Sequence, residues 1–402
     1  MMTVDVVQSL VELVKIPSEV YYEGNRIVRR YYREAAEAVA RLAETHGLRV
    51  EKVDLEGGEI PTVIASLPGK ASGKPSVAFV THYDVVPAKG PWVVEGRTMD
   101  PYSPLVLDGK VYGRGAADDK SGIVATIAGL VDIREAGIEP RYNPVVVVTG
   151  DEEVGGTGIR RLLEKGYRWD YVIIVDSGSE YVSVGASGVV HGWIKVKGKS
   201  GHAGYPHVAR NAVEDLVRVL GELMELKTVR GARLSKYPSP PGSPVPYVWG
   251  RLTFNILRLP PTEPEKHNRI PGEAWCGFDM RLLPEEDVEE AVRELYAKLS
   301  SIAMKLGVSL EVEIIGKQKG WYSKNEAFVR EVLTAAGRSK GREVPVAAEL
   351  GGNDGTFFDE YGMDVVAFGT IREGTNIHSE GEHVYVEDIE AFRKFMYEFL
   401  KP

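Results

Sequence analysis

Val77-Ala78-Phe79-Val80-Thr81-His82-Tyr83-Asp84-Val85-Val86-Pro87 is an apolar run that ends in an imidazole and a carboxylate two residues apart. The run Val77–Val80 reads as a buried strand. Along an extended chain residues i and i+2 point to the same side, so His82 and Asp84 emerge together at the carboxyl end of a sheet strand, where open α/β sheets place their ligands. The pair suits a metal-binding histidine whose second ring nitrogen is held by Asp84. It suits equally a hydrogen-bonded histidine at a strand end with no metal nearby.

Upstream, helical patterns cover Val4 to Lys15 and Asn25 to His46, followed by strands over Arg49 to Val53 and Thr62 to Ser66. Downstream, Val111-Tyr112-Gly113-Arg114-Gly115-Ala116-Ala117-Asp118-Asp119-Lys120-Ser121-Gly122 is a glycine-punctuated turn that enters an apolar helix, Ile123 to Glu135. A phosphate loop needs its lysine and hydroxyl in a different order, so this is not a nucleotide site. Asp118 and Asp119 open the helix, either as helix caps or as ligands. Pro144 to Thr149 is nearly all valine, as in a central strand covered on both faces, and runs into Gly150-Asp151-Glu152-Glu153-Val154-Gly155-Gly156. Three acids directly past a buried strand are either an acidic helix start or functional groups. A third such strand, Tyr171 to Val175, delivers Asp176.

The pattern changes near Val189. Strand (Val190 to Val196), helix (Asn211 to Leu226), strand (Trp249 to Leu257), strand (Ala274 to Leu282), helix (Val288 to Leu306) and strand (Leu310 to Ile315) form a βαββαβ series, the split pattern of a ferredoxin-like sheet. Residues 189–315 are therefore expected as a domain inserted between residues 1–188 and 316–402 of a larger α/β domain. A proline-rich segment, Tyr237 to Pro246, reads as an extended surface loop. The larger domain resumes with a helix from Ala327 to Arg338, then Glu349-Leu350-Gly351-Gly352-Asn353-Asp354-Gly355, the strand Asp364 to Phe368, and Gly374-Thr375-Asn376-Ile377-His378. There are no internal repeats.

Composition narrows the function. A length of 402 residues, 43% of them hydrophobic, favours two domains with ample core. A net charge of -9 without a Lys/Arg-rich stripe argues against nucleic acid. No apolar run approaches the roughly 20 residues that span a bilayer, and the sequence opens straight into an amphipathic pattern, which points to a cytoplasmic protein without membrane contact. Cys276 is the one cysteine, so any metal must be held by histidine and carboxylate. Two glutamines, Gln8 and Gln318, beside 27% charged residues give a balance expected of a thermophilic source.

The polar groups that follow buried strands or open helices are His82, Asp118, Glu153, Asp176 and His378. Two histidines and three carboxylates suit two divalent ions that share one bridging carboxylate and leave room for a water. Glu152, next to Glu153, is the base that could take that water's proton.

His82-x-Asp84, Gly113-Arg114-Gly115-Ala116-Ala117-Asp118, Asp151-Glu152-Glu153, Asp176, Gly201-His202-Ala203 and Ile377-His378 together resemble the successive motifs of one family over nearly the whole chain. It is the zinc-dependent metallopeptidase and deacylase family of acetylornithine deacetylase, succinyl-diaminopimelate desuccinylase, aminoacylase and glutamate carboxypeptidase. The resemblance implies a catalytic domain with a mixed central sheet flanked by helices, plus a ferredoxin-like lid that also forms the interface of a homodimer. It implies two zinc ions, replaceable by cobalt or manganese, bridged by Asp118, one held by His82 and Asp176 and the other by Glu153 and His378. Asp84 would orient His82, Glu152 would be the general acid/base, and a cis peptide would follow Asp118. His202 would reach the active site of the partner subunit. Asn268 and Arg281 would hold the carboxylate beside the scissile amide.

The activity implied is hydrolysis of an N-acyl amino acid, with carboxypeptidase or dipeptidase action on short peptides as the nearest alternative. An inactive binding relative is a third reading, and the intact ligand set counts against it. Some residues depart from the deacylase pattern. Asn353-Asp354-Gly355, with Asn353 as a further substrate-binding candidate, replaces the desuccinylases' Thr-Ser-Asp-Gly turn. Asp118-Asp119-Lys120 resembles the dipeptidase branch, and Tyr83, bulkier than the usual threonine, implies a reshaped entrance.

Overall fold

Strands that are apolar on both faces need neighbours on both edges and cover on both faces. In the computed structural model, which describes residues 3–24, 26–69 and 73–402, Ser76–His82 has both. It lies between two parallel strands, Asn143–Thr149 and Tyr171–Ile174, with Thr149 opposite His82 and Ile174 opposite Val80. Val77, Ala78 and Phe79 are fully buried. Parallel strands in this register end at one edge, so His82, the turn after Thr149 and Asp176 leave the sheet on the same side. Asp364–Ala367 continues the sheet in parallel beside Tyr171–Ile174, while Ile60–Ser66 and Arg49–Leu55 add antiparallel strands beyond Asn143–Thr149. The result is the mixed α/β sheet expected from the sequence.

The chain divides into two compact units, one of residues 1–184, 323–347 and 353–402, the other of residues 185–322 and 348–352. In the first unit the helix Lys120–Glu135 is buried along most of its length and packs against Val386–Leu400. Gly129 permits that approach, since a Cβ there would stand 2.7 Å from the Met396 side chain. Lys120 turns inward and gives its ammonium protons to the carbonyls of Leu13 and Ile16, at 3.1 and 2.6 Å.

One expected helix is shorter than the sequence pattern implies. Asn25 lies outside the described residues, and Val20–Glu23 pairs with Arg26–Arg29 as a hairpin, so the helix begins only at Tyr32. Tyr21, Tyr22, Ile27 and Val28 are aromatic or β-branched residues that favour a pleated pair, and Gly24, at φ +62°, supplies the turn.

The second unit holds four antiparallel strands in the order Arg251–Arg258, Glu273–Arg281, Val189–Lys197, Ser309–Gln318. With the helices Ala212–Gly231 and Val288–Leu306 between them in sequence, this is the ferredoxin-like arrangement. Both helices are capped by the residue before them: Asn211 accepts the Val213 N–H and Asp287 the Glu290 N–H. Val190, Ile194, Ala274, Cys276, Phe278 and Met280 point to the helices, and alternation sends Trp193, Trp275, Asp279 and Arg281 to the other face. The proline-rich segment is not wholly a loop, because Leu234–Pro238 pairs with Tyr247–Trp249 and only the residues between them form the turn. Among the described residues no helix is long and apolar enough to cross a membrane.

Candidate metal centre

His82 ends its strand buried, with Nδ1 3.0 Å from the main-chain oxygen of Asp84 and 3.4 Å from the Asp84 carboxylate. The carbonyl is thus the nearer acceptor of the ring N–H, and the Asp84 carboxylate also bonds elsewhere, its Oδ2 accepting the backbone N–H of Glu153 at 3.2 Å. The opposite ring atom, Nε2, lies 3.0 Å from Asp118 Oδ1 and 3.9 Å from Asp176 Oδ2. His378 Nε2 lies 3.0 Å from both Asp118 Oδ2 and Glu153 Oε1. Asp118 therefore turns one oxygen to each imidazole.

Two groups of ligand atoms result, His82 with Glu152 and Asp176, and Asp118 with Glu153 and His378, each with its atoms within 4.8 Å of one another. Two atoms bound to one zinc at about 2.0–2.1 Å in tetrahedral geometry stand roughly 3.3 Å apart. The nitrogen–oxygen separations of 3.0 to 3.9 Å match that spacing, and a nitrogen and carboxylate donor set without thiolate suits a divalent ion.

The charges are tightly linked. Hydrogen bonds to Asp118 and Glu153 outweigh burial and push the His378 imidazole up to about 10. Burial opposes the charge of His82, but its bonds to Asp118 and Asp84 prevail and hold it well above the usual histidine value. Burial works against the Asp118 carboxylate too, yet His378 and His82 hold it below its ordinary range. Glu152 goes the other way, raised by burial and by the charges of Asp176 and Asp354.

The acidic turn is held by residues that no local sequence signal marks. Asp151, at φ +69°, receives Arg29 through both carboxylate oxygens at 2.8 and 2.6 Å, and the Tyr32 hydroxyl at 3.0 Å. Buried Glu382 plays the same part for the aspartate: it pairs with Arg114 and accepts the N–H groups of Ala117 and Asp118 at 3.1 and 3.2 Å. The Asp118–Asp119 peptide is cis. Gly122 makes room for the Asp119 carboxylate, which lies 2.4 Å from where a Cβ would stand. These partners are more than a hundred residues apart in sequence, and the one clue to them is that a buried charge needs an opposite one.

The remaining candidates fall elsewhere. Asn353, in the first unit, is buried with its Oδ1 accepting the Gly355 N–H at 3.0 Å. Tyr83 is not at an entrance but in the core, edge-on to Tyr32 at 5.0 Å. His202, Asn268 and Arg281 belong to the second unit. There the first two are neighbours: His202 pairs with Arg269 across two short strands, and the Ala203 N–H donates to the Asn268 carbonyl at 2.9 Å. Arg281 Nε donates to Asp279 at 2.8 Å.

Residues 78–401 match the sequence profile of peptidase family M20/M25/M40. The chain belongs to this family. It is a metal-dependent hydrolase of amide or peptide bonds, as the motifs imply. Among its relatives is an uncharacterised metallohydrolase of Methanocaldococcus jannaschii, 27% identical over 378 residues, 87% of this chain and 86% of the relative. A succinyl-diaminopimelate desuccinylase of Nitrosomonas eutropha is 32% identical over 333 residues, 80% of this chain and 81% of the relative. Of solved structures, an M20 family metallo-carboxypeptidase of Sulfolobus solfataricus shares the fold of this M20 chain at TM-score 0.77 and 19% identity, covering 98% of both chains. Human carnosine dipeptidase 1 does so at TM-score 0.75 and 22% identity, covering 98% of this chain and 96% of its own.

Proposed function

We propose that this M20 hydrolase is a dinuclear zinc deacylase that cleaves the amide of an N-acyl amino acid. The observation that carries the reading is Asp118, whose two oxygens each stand 3.0 Å from the imidazole of a different ligand group. His82 and Asp176 would hold one ion, Glu153 and His378 the other, and Asp118 both; cobalt or manganese could replace zinc. Such a pair of ions, when bound, supplies the Lewis acidity that makes water nucleophilic at neutral pH and polarises the scissile carbonyl.

The chain's own groups move the proton. Glu152 takes one proton from the attacking water as its oxygen bonds to the acyl carbon, and returns it to the amine nitrogen as the C–N bond breaks. Asp84 and Glu382 hold the ligand-bearing turns still while this happens. Arg281 and Asn268 grip the substrate's carboxylate, Asn353 contacts its acyl side, and a guanidinium fork suits a carboxylate geometrically. In the same reading the second unit is a lid and dimer interface, and His202 donates a hydrogen bond to the carbonyl oxygen in the partner subunit's site.

A carboxypeptidase or dipeptidase is the second reading, favoured by Asp118-Asp119-Lys120. The deacylase reading draws on the desuccinylase relative of Nitrosomonas eutropha. Zinc- or cobalt-loaded protein assayed on N-acetyl and N-succinyl amino acids beside a dipeptide panel separates the two. Faster turnover of the acyl amino acids is expected, and a preference for dipeptides would replace the deacylase with the peptidase.

A further inference from the structure

Two arginines stand opposite each other on the second unit's sheet, on the face turned away from its helices. Arg251, the first residue of Arg251–Arg258, is in register with Arg281, the last of Glu273–Arg281. Directly opposed residues on antiparallel strands project to the same side with Cβ atoms roughly 5 Å apart, and like charges so placed repel. The proposed function gives Arg281 a role and leaves Arg251 without one.

The surroundings offset only part of this charge. Among the described residues Asp279, at 2.8 Å from Arg281 Nε, is the one acid bonded to either guanidinium. Arg251 Nη2 donates to two neutral acceptors, Ser187 Oγ at 3.0 Å and the Leu350 carbonyl at 2.8 Å. Its Nε is buried without an acceptor among the described residues. The guanidinium also lies over the Trp249 ring, its carbon 5.1 Å from the ring centre. Burial, and then the charge of Arg281, push Arg251 down to about 10. A fixed, partly desolvated cation beside a like charge, bonded to neutral groups alone, is arranged for an anion.

We propose that Arg251 and Arg281 grip one substrate carboxylate between them, Arg281 through its terminal nitrogens and Arg251 through Nη1. Arg251 is then a specificity-determining residue. A second full charge gains energy only when the ligand is an anion, so it selects a free carboxylate over its amide. Ser187 and the Leu350 carbonyl aim the guanidinium before the substrate arrives. The assignment rests on the proposed deacylase function for the identity of the ligand, but the cation pair itself does not.

Arg251→Ser and Arg251→Lys, in the full-length metal-loaded protein, are assayed on the best carboxylate substrate and on its carboxamide. Arg251→Ser should raise KM for the carboxylate roughly tenfold with kcat changed less than about twofold, and leave the carboxamide unaffected. Arg251→Lys should recover part of the loss. Equal losses on both substrates would mark Arg251 as structural and overturn the proposal, as would no loss on the carboxylate. A second readout needs no turnover: acetate and succinate should raise the Tm of the wild type more than equal chloride does, and Arg251→Ser and Arg281→Ala should each abolish the difference. If no substrate is turned over but this anion effect is lost in Arg251→Ser, the deacylase reading fails and the anion site stands. If turnover is normal and the effect survives in Arg251→Ser, the anion site fails alone.

Discussion

The carboxylate of Asp84 accepts the backbone N–H of Glu153 at 3.2 Å. This bond joins the end of the His82 strand to the acidic turn after its parallel neighbour, so the turns that carry His82 and Glu153 are fixed to each other. Asp84→Ala removes the acceptor, and metal affinity should fall about 10- to 100-fold, the usual range for loss of a group that orients ligands. Asp84→Asn keeps an oxygen at the same place and should recover most of it. Competition with a chelator measures both, and equal affinities in Ala and wild type would show that the bond orients nothing.

Arg29 is the ionic partner of fully buried Asp151. Removing one member of such a pair leaves an uncompensated charge, so Arg29→Ala should cost about 3–5 kcal/mol in stability. Urea unfolding of the metal-free protein gives the value directly. A change below about 0.5 kcal/mol, typical of an exposed position, would mean that solvent reaches Asp151.

The legible part of this site was local. His82, Asp118, Glu153 and Asp176 each follow a buried strand or open a helix through a glycine turn, and such junctions can be seen in the order of residues. What stayed hidden was set by packing between distant segments. Arg114 and Glu382 meet from positions 268 residues apart, and Arg29 reaches Asp151 from a hairpin that the sequence pattern presents as helix. The opposition of Arg251 and Arg281 depends on strand register, which shifts by a bulge between Phe254 and Ile256. A one-residue difference there would send Arg251 to the other face. The ferredoxin-like order, by contrast, follows from the alternation of strand and helix patterns, and its helices begin at Ala212 and Val288, within a residue of where those patterns place them.

Metal binding should be strongly pH-dependent. In the metal-free protein the His378 imidazole is raised to about 10 from an ordinary value of 6.5, and His82 is raised as well. A raised folded value stabilises the protein fully below about pH 6.5, and the contribution is lost as pH climbs through about 10. Stability of the metal-free protein should therefore decline over that window while metal affinity rises, because each ion displaces protons from the imidazoles. Calorimetry at pH 7 in buffers of different ionisation heat should detect proton release on binding. An enthalpy independent of buffer would contradict protonated imidazoles in the empty site.

Glu152→Gln keeps the shape of the turn and removes the base. It should retain the metal content of the wild type and lower kcat by at least about 100-fold. Near-normal turnover would take Glu152 out of the mechanism, and loss of one ion would make it a ligand in the group with His82 and Asp176.

The central claim is that one carboxylate serves both ions, and metal stoichiometry of Asp118→Ala after equilibrium dialysis against dilute zinc tests it most directly. The wild type should hold two ions per chain, and the variant should lose affinity for both together, because each ligand group loses the oxygen that Asp118 turns to its imidazole. Two tightly held ions in Asp118→Ala would contradict the bridge, and loss of one ion alone would place Asp118 in a single site.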